Sequence, residues 1–263
     1  MTIRPHLLIT GASSGIGAAL VQLAVAKGWQ VSGLARRAER LEGLKQSLGS
    51  DGQHFAYFVA DVGESIELNE AVHSAVQQFG PLQAVVANAG RGVDGEILDL
   101  SPQDVAAVYD CNVVGVHRTL LATADHLSQR SAFVAISSVA AFLPIPRMGA
   151  YCATKHALEA WSAAARMELA ARGIAVMTCC PGTVSTEFFD SAPKPGKVWN
   201  WRPGSSLDPR KVAQVVLRQI TRRGPRRRVI PWFARWTAHL HRLCPRLGEA
   251  IMRRALKSMR DNE

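Results

Sequence analysis

Thr10-Gly11-Ala12-Ser13-Ser14-Gly15-Ile16-Gly17 follows the short apolar run 6–9 and precedes a helical pattern over 18–27. The apolar run reads as a strand buried on both faces. Strand, Gly-rich turn and helix together form the setting in which such a motif acquires meaning. Glycines let the backbone approach a pyrophosphate. The first turn of a helix offers free N–H groups and a partial positive charge. The spacing is Gly-x-x-x-Gly-x-Gly, which departs from the Gly-x-Gly-x-x-Gly of the general dinucleotide fingerprint. A turn of this composition also serves as a plain strand–helix connection, so the rest of the chain has to decide.

Outward from this turn, short apolar runs alternate with helical patterns. The pattern predicts strands at 7–10, 30–35, 54–60, 82–88, 132–137, 174–180 and 228–231. Their β-branched and apolar content suits strands covered on both faces. Alternation with helices gives parallel order through right-handed crossovers. The predicted fold is α/β: a Rossmann-like doubly wound parallel sheet in one domain over 1–230, with a basic helical C-terminal extension over 231–263. A chain of 263 residues is long enough for the large core this needs. The motifs fall at the C-terminal ends of strands, where such folds bind ligands.

Tyr151 and Lys155 stand four residues apart, Ser138 lies thirteen residues before the tyrosine, and an Ala-rich helix-forming run, 157–172, continues from the lysine. If Tyr151 opens that helix, the pair shares one face. A phenol, an ammonium and a hydroxyl then converge. A free tyrosine has a pKa of about 10, so acid–base work at neutral pH needs a fall of about three units, about 4 kcal/mol. A cation about 4 Å away at a surface-like dielectric supplies roughly that much. Ser138 would hold the substrate oxygen while Tyr151 moves the proton. Alone, Tyr-x-x-x-Lys on a helix is also a common surface pairing.

With Asn88-Ala89-Gly90 added, the set Thr-Gly-x-x-x-Gly-x-Gly, Ser138 and Tyr151-x-x-x-Lys155 resembles the short-chain dehydrogenase/reductase family, and within it the compact oxidoreductase subgroup. The likeness runs from about residue 4 to about residue 230. It implies that Gly11, Ser13, Ser14, Gly15, Ile16, Gly17, Asn88, Ala89 and Gly90 border a nicotinamide dinucleotide. It also implies that Asp61 and Val62 meet the adenine and that Pro181, Gly182, Val184 and Thr186 seat the nicotinamide. Asn112 would help hold a proton-relay water, and Tyr151 and Lys155 would touch both cofactor and substrate. Each has a plainer reading beside it: Asp61 as a helix cap, Asn112 as a partner for a backbone group, Pro181-Gly182 as a loop break. Two positions depart from the family pattern: Ala87 where a second Asn is usual, and Thr154 where Ser is usual.

Cofactor choice has its own physical argument. After the second predicted strand the chain reads Ala35-Arg36-Arg37-Ala38-Glu39-Arg40. An NAD-preferring site needs a carboxylate here for the ribose 2′-hydroxyl. Ala35 offers none, whereas Arg36 and Arg37 offer guanidinium forks suited to a 2′-phosphate, with Ser13 able to add a hydroxyl. NADP(H) is therefore favoured over NAD(H). The plainer reading has Arg36 and Arg37 beginning a solvated helix over 36–48.

In the family, the loop after Pro181-Gly182 closes over the substrate; here it would be 183–207, with Phe188, Phe189, Trp199 and Trp201. Phe142 and Met148 would face it, with Arg91-Gly92-Val93 as a third wall. Such a lining suits a hydrophobic ketone or aldehyde and its alcohol. The expected protein is an NADP(H)-dependent oxidoreductase; the alternative is a nucleotide-binding or membrane-recruited scaffold that kept the fold. The family also implies a homodimer or homotetramer.

The net charge of +10 is concentrated in the tail. Residues 222–263 hold twelve Lys/Arg against three Asp/Glu, which leaves the rest nearly neutral. Trp232, Phe233, Trp236, Leu240, Leu243, Leu247 and Ile251 recur there at mostly helical spacing, interrupted by Pro245. Three readings are open: an anionic membrane surface, the protein's own domain or a partner subunit, and nucleic acid. The last lacks any binding module. No apolar run reaches membrane-spanning length, and the first strand begins too early for a targeting signal. The five cysteines, at 111, 152, 179, 180 and 244, have neither disulfide nor zinc spacing, so no metal is expected. The expected location is the cytoplasm, with peripheral membrane association if the tail binds lipid.

Overall fold

A computed structural model describes residues 4–188, 192–196, 206–224, 226–234, 236, 243–244, 246–250 and 253. Seven parallel strands form one sheet in the order β3-β2-β1-β4-β5-β6-β7. They are β1 His6–Thr10, β2 Gln30–Ala35, β3 Phe55–Val59, β4 Leu82–Ala87, β5 Leu127–Ile136, β6 Ala175–Pro181 and β7 Arg227–Ile230. The chain runs outward from β1 to β3, then crosses back to place β4 on the other side of β1. That reversal opens a crevice at the C-terminal ends of β1 and β4.

Among the described residues, seven helices cover the two faces: α1 Gly15–Ala26, α2 Ala38–Ser47, α3 Ser65–Phe79, α4 Pro102–Tyr109, α5 Gly115–Thr123, α6 Gly149–Glu168 and α7 Pro209–Thr221. Strand side chains alternate between faces, and the core divides accordingly. Leu7, Ile9, Val86 and Val134 pack with Leu20 and Val21 of α1 and Val212 and Val216 of α7. Leu8, Val85 and Phe133 pack with Leu68 and Val72 of α3 and Leu158 of α6. Each fully buried aliphatic side chain contributes roughly 1.5–3 kcal/mol, which fixes the strand register.

The predicted strands are all present, with ends shifted by one or two residues except at β5. That strand begins five residues before its predicted start, at Leu127. The early part, Leu127–Arg130, carries mostly polar, exposed residues and pairs irregularly with β4, so it lacks the apolar pattern of a buried strand. The predicted helix over 36–48 starts later, at Ala38, with Arg37 as the residue before it. α6 begins at Gly149, two residues before Tyr151. Residues 110–114 form one wide π-type turn between α4 and α5, and Asn112 is buried in it.

Candidate active site

A cleft of about 640 Å³ runs along the C-terminal ends of the strands. Its cofactor-side wall is the Gly-rich turn. Gly11 has φ +65°, and a Cβ there would lie 2.8 Å from the Ala89 Cα. At Gly17, in helical conformation, a Cβ would meet the Gly11 carbonyl oxygen at 2.2 Å and Asn88 Nδ2 at 2.8 Å. Asn88 Nδ2 donates to the carbonyls of Thr10 and Gly11 at 3.0 Å each. Thr10 Oγ1 accepts from the backbone N–H groups of Asn88 and Ala89 at 3.1 Å each. The ends of β1 and β4 are thus locked together. Thr10 was not among the predicted site residues; its hydroxyl stands one residue before the glycine it helps to hold.

At the end of the cleft beside β2, Arg37 Nη2 donates to Ser13 Oγ and Ser14 Oγ, each at 3.1 Å. Arg36 turns the other way, 3.4 Å from Asp61 Oδ2. Asp61 Oδ1 accepts from the Gly63 N–H at 2.9 Å. The two arginines therefore have different surroundings, which the sequence pair did not reveal. Ser14 precedes α1 in extended conformation and makes no capping bond to it. The first-turn N–H groups of α1 thus lack a side-chain acceptor. With Ser13, Ser14 and Arg37, they fit the phosphates of a dinucleotide.

α6 and the end of β5 bring the chemistry together. Tyr151, Lys155 and Ser138 are all buried and line the cleft. Lys155 Nζ donates to the Ile136 carbonyl at 2.9 Å and lies 5.6 Å from the centroid of the Tyr151 ring. Burial brings the lysine down to about 8, against smaller upward pulls from Cys111, Cys180 and Glu159. Burial also pushes the Tyr151 phenol well above its ordinary range, with a hydrogen bond to Ser138 opposing the rise. The expected fall of the phenol pKa from a cation about 4 Å away is thus not what this arrangement gives. Desolvation is the largest influence on the phenol and favours its protonated form.

Asn112 is completely buried. Its Oδ1 accepts from the Arg91 N–H at 2.9 Å, and its Nδ2 donates to the Arg91 carbonyl at 2.9 Å and to Thr154 Oγ1 at 3.1 Å. The amide ties the loop after β4 to α6. Thr154, which sequence reading noted only as a substitute for Ser, is the α6 end of this tie.

Of the predicted substrate-side residues, Arg91, Met148 and Phe188 line the cleft. Phe188 packs edge-on against Tyr151, 5.6 Å between centroids. Phe142 is placed elsewhere: its ring sits under the Arg227 guanidinium at 5.2 Å. Phe142 follows a short helical turn that aims it toward β7. Phe189, Trp199 and Trp201 lie outside the described residues. Ile145, Ala192 and Pro193 join the lining without having been predicted. Val184 pairs with Leu207, and Gly182 N–H donates to the Ile230 carbonyl at 2.6 Å, which ties the loop after β6 to the rim. Pro181, Gly182, Val184 and Thr186 all border the cleft, as do Ile16, Val62 and Gly90.

The short chain dehydrogenase family model matches residues 5–195. The chain belongs to the short chain dehydrogenase family. It is 31% identical over 194 residues to a 3-oxoacyl-[acyl-carrier-protein] reductase of Staphylococcus aureus, covering 73% of this chain and 79% of that protein. It also matches a glycine betaine reductase of Emericella nidulans at 30% identity over 80% of this chain, but spans only 17% of that protein's length. Among solved structures it is similar to an alcohol dehydrogenase of the archaeon Thermococcus sibiricus complexed with 5-hydroxy-NADP. There the identity is 28% and the TM-score 0.75, over 86% of this chain and 95% of that one.

Among the described residues no helix is long and apolar enough to cross a membrane, and no group of His, Cys, Asp and Glu could hold a metal ion.

Proposed function

We propose that this short chain dehydrogenase family member is an NADP(H)-dependent oxidoreductase interconverting a hydrophobic ketone or aldehyde and its alcohol. The observation that carries the reading is the convergence of buried Ser138, Tyr151 and Lys155 on a cleft whose far end holds Arg37 and Ser13. When bound, the nicotinamide supplies the hydride to the carbonyl carbon in reduction, or takes it from the alcohol carbon in oxidation. Tyr151 gives its proton to the developing alkoxide, a task suited to a phenol that burial keeps protonated. Ser138 orients the carbonyl oxygen beside it. Lys155, fixed by the Ile136 carbonyl, supplies the positive charge that stabilises the resulting phenolate. Gly11, Gly15 and Gly17 keep the backbone close to the pyrophosphate, and Arg37 with Ser13 holds a 2′-phosphate. Arg36 and Asp61, paired with each other, border the adenosine.

The test is a panel of hydrophobic aldehydes and ketones run with NADPH and NADH in parallel. Wild type should consume NADPH with at least tenfold preference over NADH. Tyr151→Phe should lower turnover by a factor of roughly a thousand or more while still binding NADPH. No turnover of any carbonyl with NADPH bound would favour the scaffold alternative.

For the tail we propose contact with an anionic membrane surface. Trp232 (72% exposed), Phe233 and Trp236 follow β7 directly, among the arginines at 226–228. Exposed indoles beside cationic side chains suit a headgroup region. The protein should float with phosphatidylserine vesicles at low salt and lose them as salt rises. Failure to float at low salt sinks this reading.

A further inference from the structure

Around Tyr151 the substrate side of the cleft is apolar: Ile145, Met148, Phe188, Ala192 and Pro193. Of the charged side chains near it, Lys155 is held by the Ile136 carbonyl and Glu187 by Arg40, and Arg91 is the third. Its backbone is fixed on both sides by Asn112, through the N–H and through the carbonyl. The guanidinium therefore leaves the wall from a set point, and the chain is half-buried there. Among the described residues the guanidinium has no hydrogen-bond or ion-pair partner. A nearby carboxylate is Asp104, but it makes no ion pair with Arg91 and is turned to the cap of α4, where Oδ2 accepts from the Ser101 N–H at 3.1 Å and from Ser101 Oγ at 2.7 Å. Those bonds hold the Asp104 carboxyl below its usual range, with the Arg91 charge a lesser influence. Cys111, which also feels that charge, is kept protonated by burial and offers no anion.

A half-buried arginine with fixed backbone, no hydrogen-bonded counter-ion and apolar neighbours is matched by an anion brought from outside. We infer that Arg91 recognises an anionic group on the substrate, which joins an apolar body bearing the reacting carbonyl to a carboxylate or similar anion. This rests on the carbonyl–alcohol reading above and narrows it. A charge-assisted contact in a partly desolvated site supports roughly tenfold to hundredfold discrimination over a neutral analogue.

The probes are benzoylacetate, benzoylpropionate and benzoylbutyrate, each beside its methyl ester, so that the spacing of carbonyl and carboxylate varies. With NADPH, wild type should favour the acid over the ester in kcat/KM by tenfold or more for at least one spacing. Arg91→Gln should bring that ratio to about one, and Arg91→Glu should invert it. Binding is measured separately, by titrating phenylbutyrate and its amide into protein saturated with NADP+. Wild type should bind the acid at least tenfold tighter, and Arg91→Gln should not. This second readout needs no turnover. If no ketone is reduced but phenylbutyrate binding depends on Arg91, the reaction class has failed and the anion site stands. If acid and ester react alike and acid and amide bind alike in wild type, the anion site is overturned and the reaction class stands. A loss of NADPH affinity in Arg91→Gln, with the acid preference kept, assigns the guanidinium to the cofactor and also overturns it.

Discussion

At Gly11 the cleft wall is backbone against backbone, with Gly17 behind it; around Phe188 it is side chain against side chain. In the first region Thr10, Gly11, Asn88 and Ala89 close on one another through four hydrogen bonds of 3.0–3.1 Å. In the second, the Phe188 ring stands edge-on to Tyr151 at 5.6 Å and fills the space beside Gly90 and Gly92, where a Cβ would meet it at 3.7 Å and 3.2 Å. Backbone locks tolerate almost no change, because neither partner can move alone. Apolar side-chain contacts re-pack, and volume-conserving changes there cost little. The first region suits a part of the ligand that is always the same, the second a part that differs between relatives. A family with a shared cofactor chemistry and many substrates needs both.

The severest way to break the contrast is Gly17→Ala. The added methyl carbon would stand 2.2 Å from a carbonyl oxygen that is itself held by Asn88. The turn must open, at about 3 kcal/mol or more, and cofactor affinity should fall by at least about a hundredfold. Denaturant melts and fluorescence titration with NADPH measure the two losses. A well-folded variant with wild-type affinity would show that the lock is not tight. The matching change in the other region, Met148→Leu, conserves volume and should cost less than about 1.5 kcal/mol.

This contrast also decides what was legible. Gly11, Gly15, Gly17, Asn88 and Tyr151-x-x-x-Lys155 stand at fixed spacings because backbone geometry dictates residue type, and geometry of that kind leaves a motif. Seven strands could be read from apolar runs because both faces of the sheet are covered. What escaped was set by direction in space. Arg36 and Arg37 are adjacent, yet one meets Asp61 and the other Ser13 and Ser14. Phe142 looked like a cleft residue but packs under Arg227. The fall expected for the tyrosine pKa weighed a charge and omitted burial, which pushes the phenol up.

Between the two regions runs α6, and its anchorage gives the second test. Glu159, one turn beyond Lys155, is buried and accepts from Arg227 Nε of β7 at 2.6 Å, from the Cys180 thiol at 3.3 Å and from Thr178 Oγ1 at 3.4 Å. Arg227 is about half exposed, so part of this pair is screened. Glu159→Gln keeps the shape and loses the charge. It should cost about 2 kcal/mol, less than the glycine change. Glu159 is also one of the charges that raise Lys155 against burial. Its loss should move the Lys155-dependent limb of the kcat/KM pH profile to lower pH. A purely structural role would lower stability and leave that limb in place.

The mildest test concerns the base of the cofactor-side region. His6 at the start of β1 is buried, with Nδ1 2.8 Å from the Gly80 carbonyl and Nε2 2.9 Å from Ser32 Oγ. A carbonyl only accepts, so Nδ1 carries the proton and Nε2 accepts from Ser32. Three elements, β1, β2 and the end of α3, meet on this ring. Burial lowers the His6 pKa below 6.5, with the Gly80 bond opposing. The unfolded chain therefore takes up a proton before the folded one does. The His6 contribution is complete above about pH 6.5 and is lost as pH falls through the lower folded value, at about 1.4 kcal/mol per unit of difference. Hydrogen exchange should then show β1 and β2 losing protection between pH 7 and pH 5, with α6 and β6 changing less. His6→Gln should remove most of that difference. An equal loss in both regions would mean that the sheet opens as one unit and that the contrast is confined to the rim of the cleft.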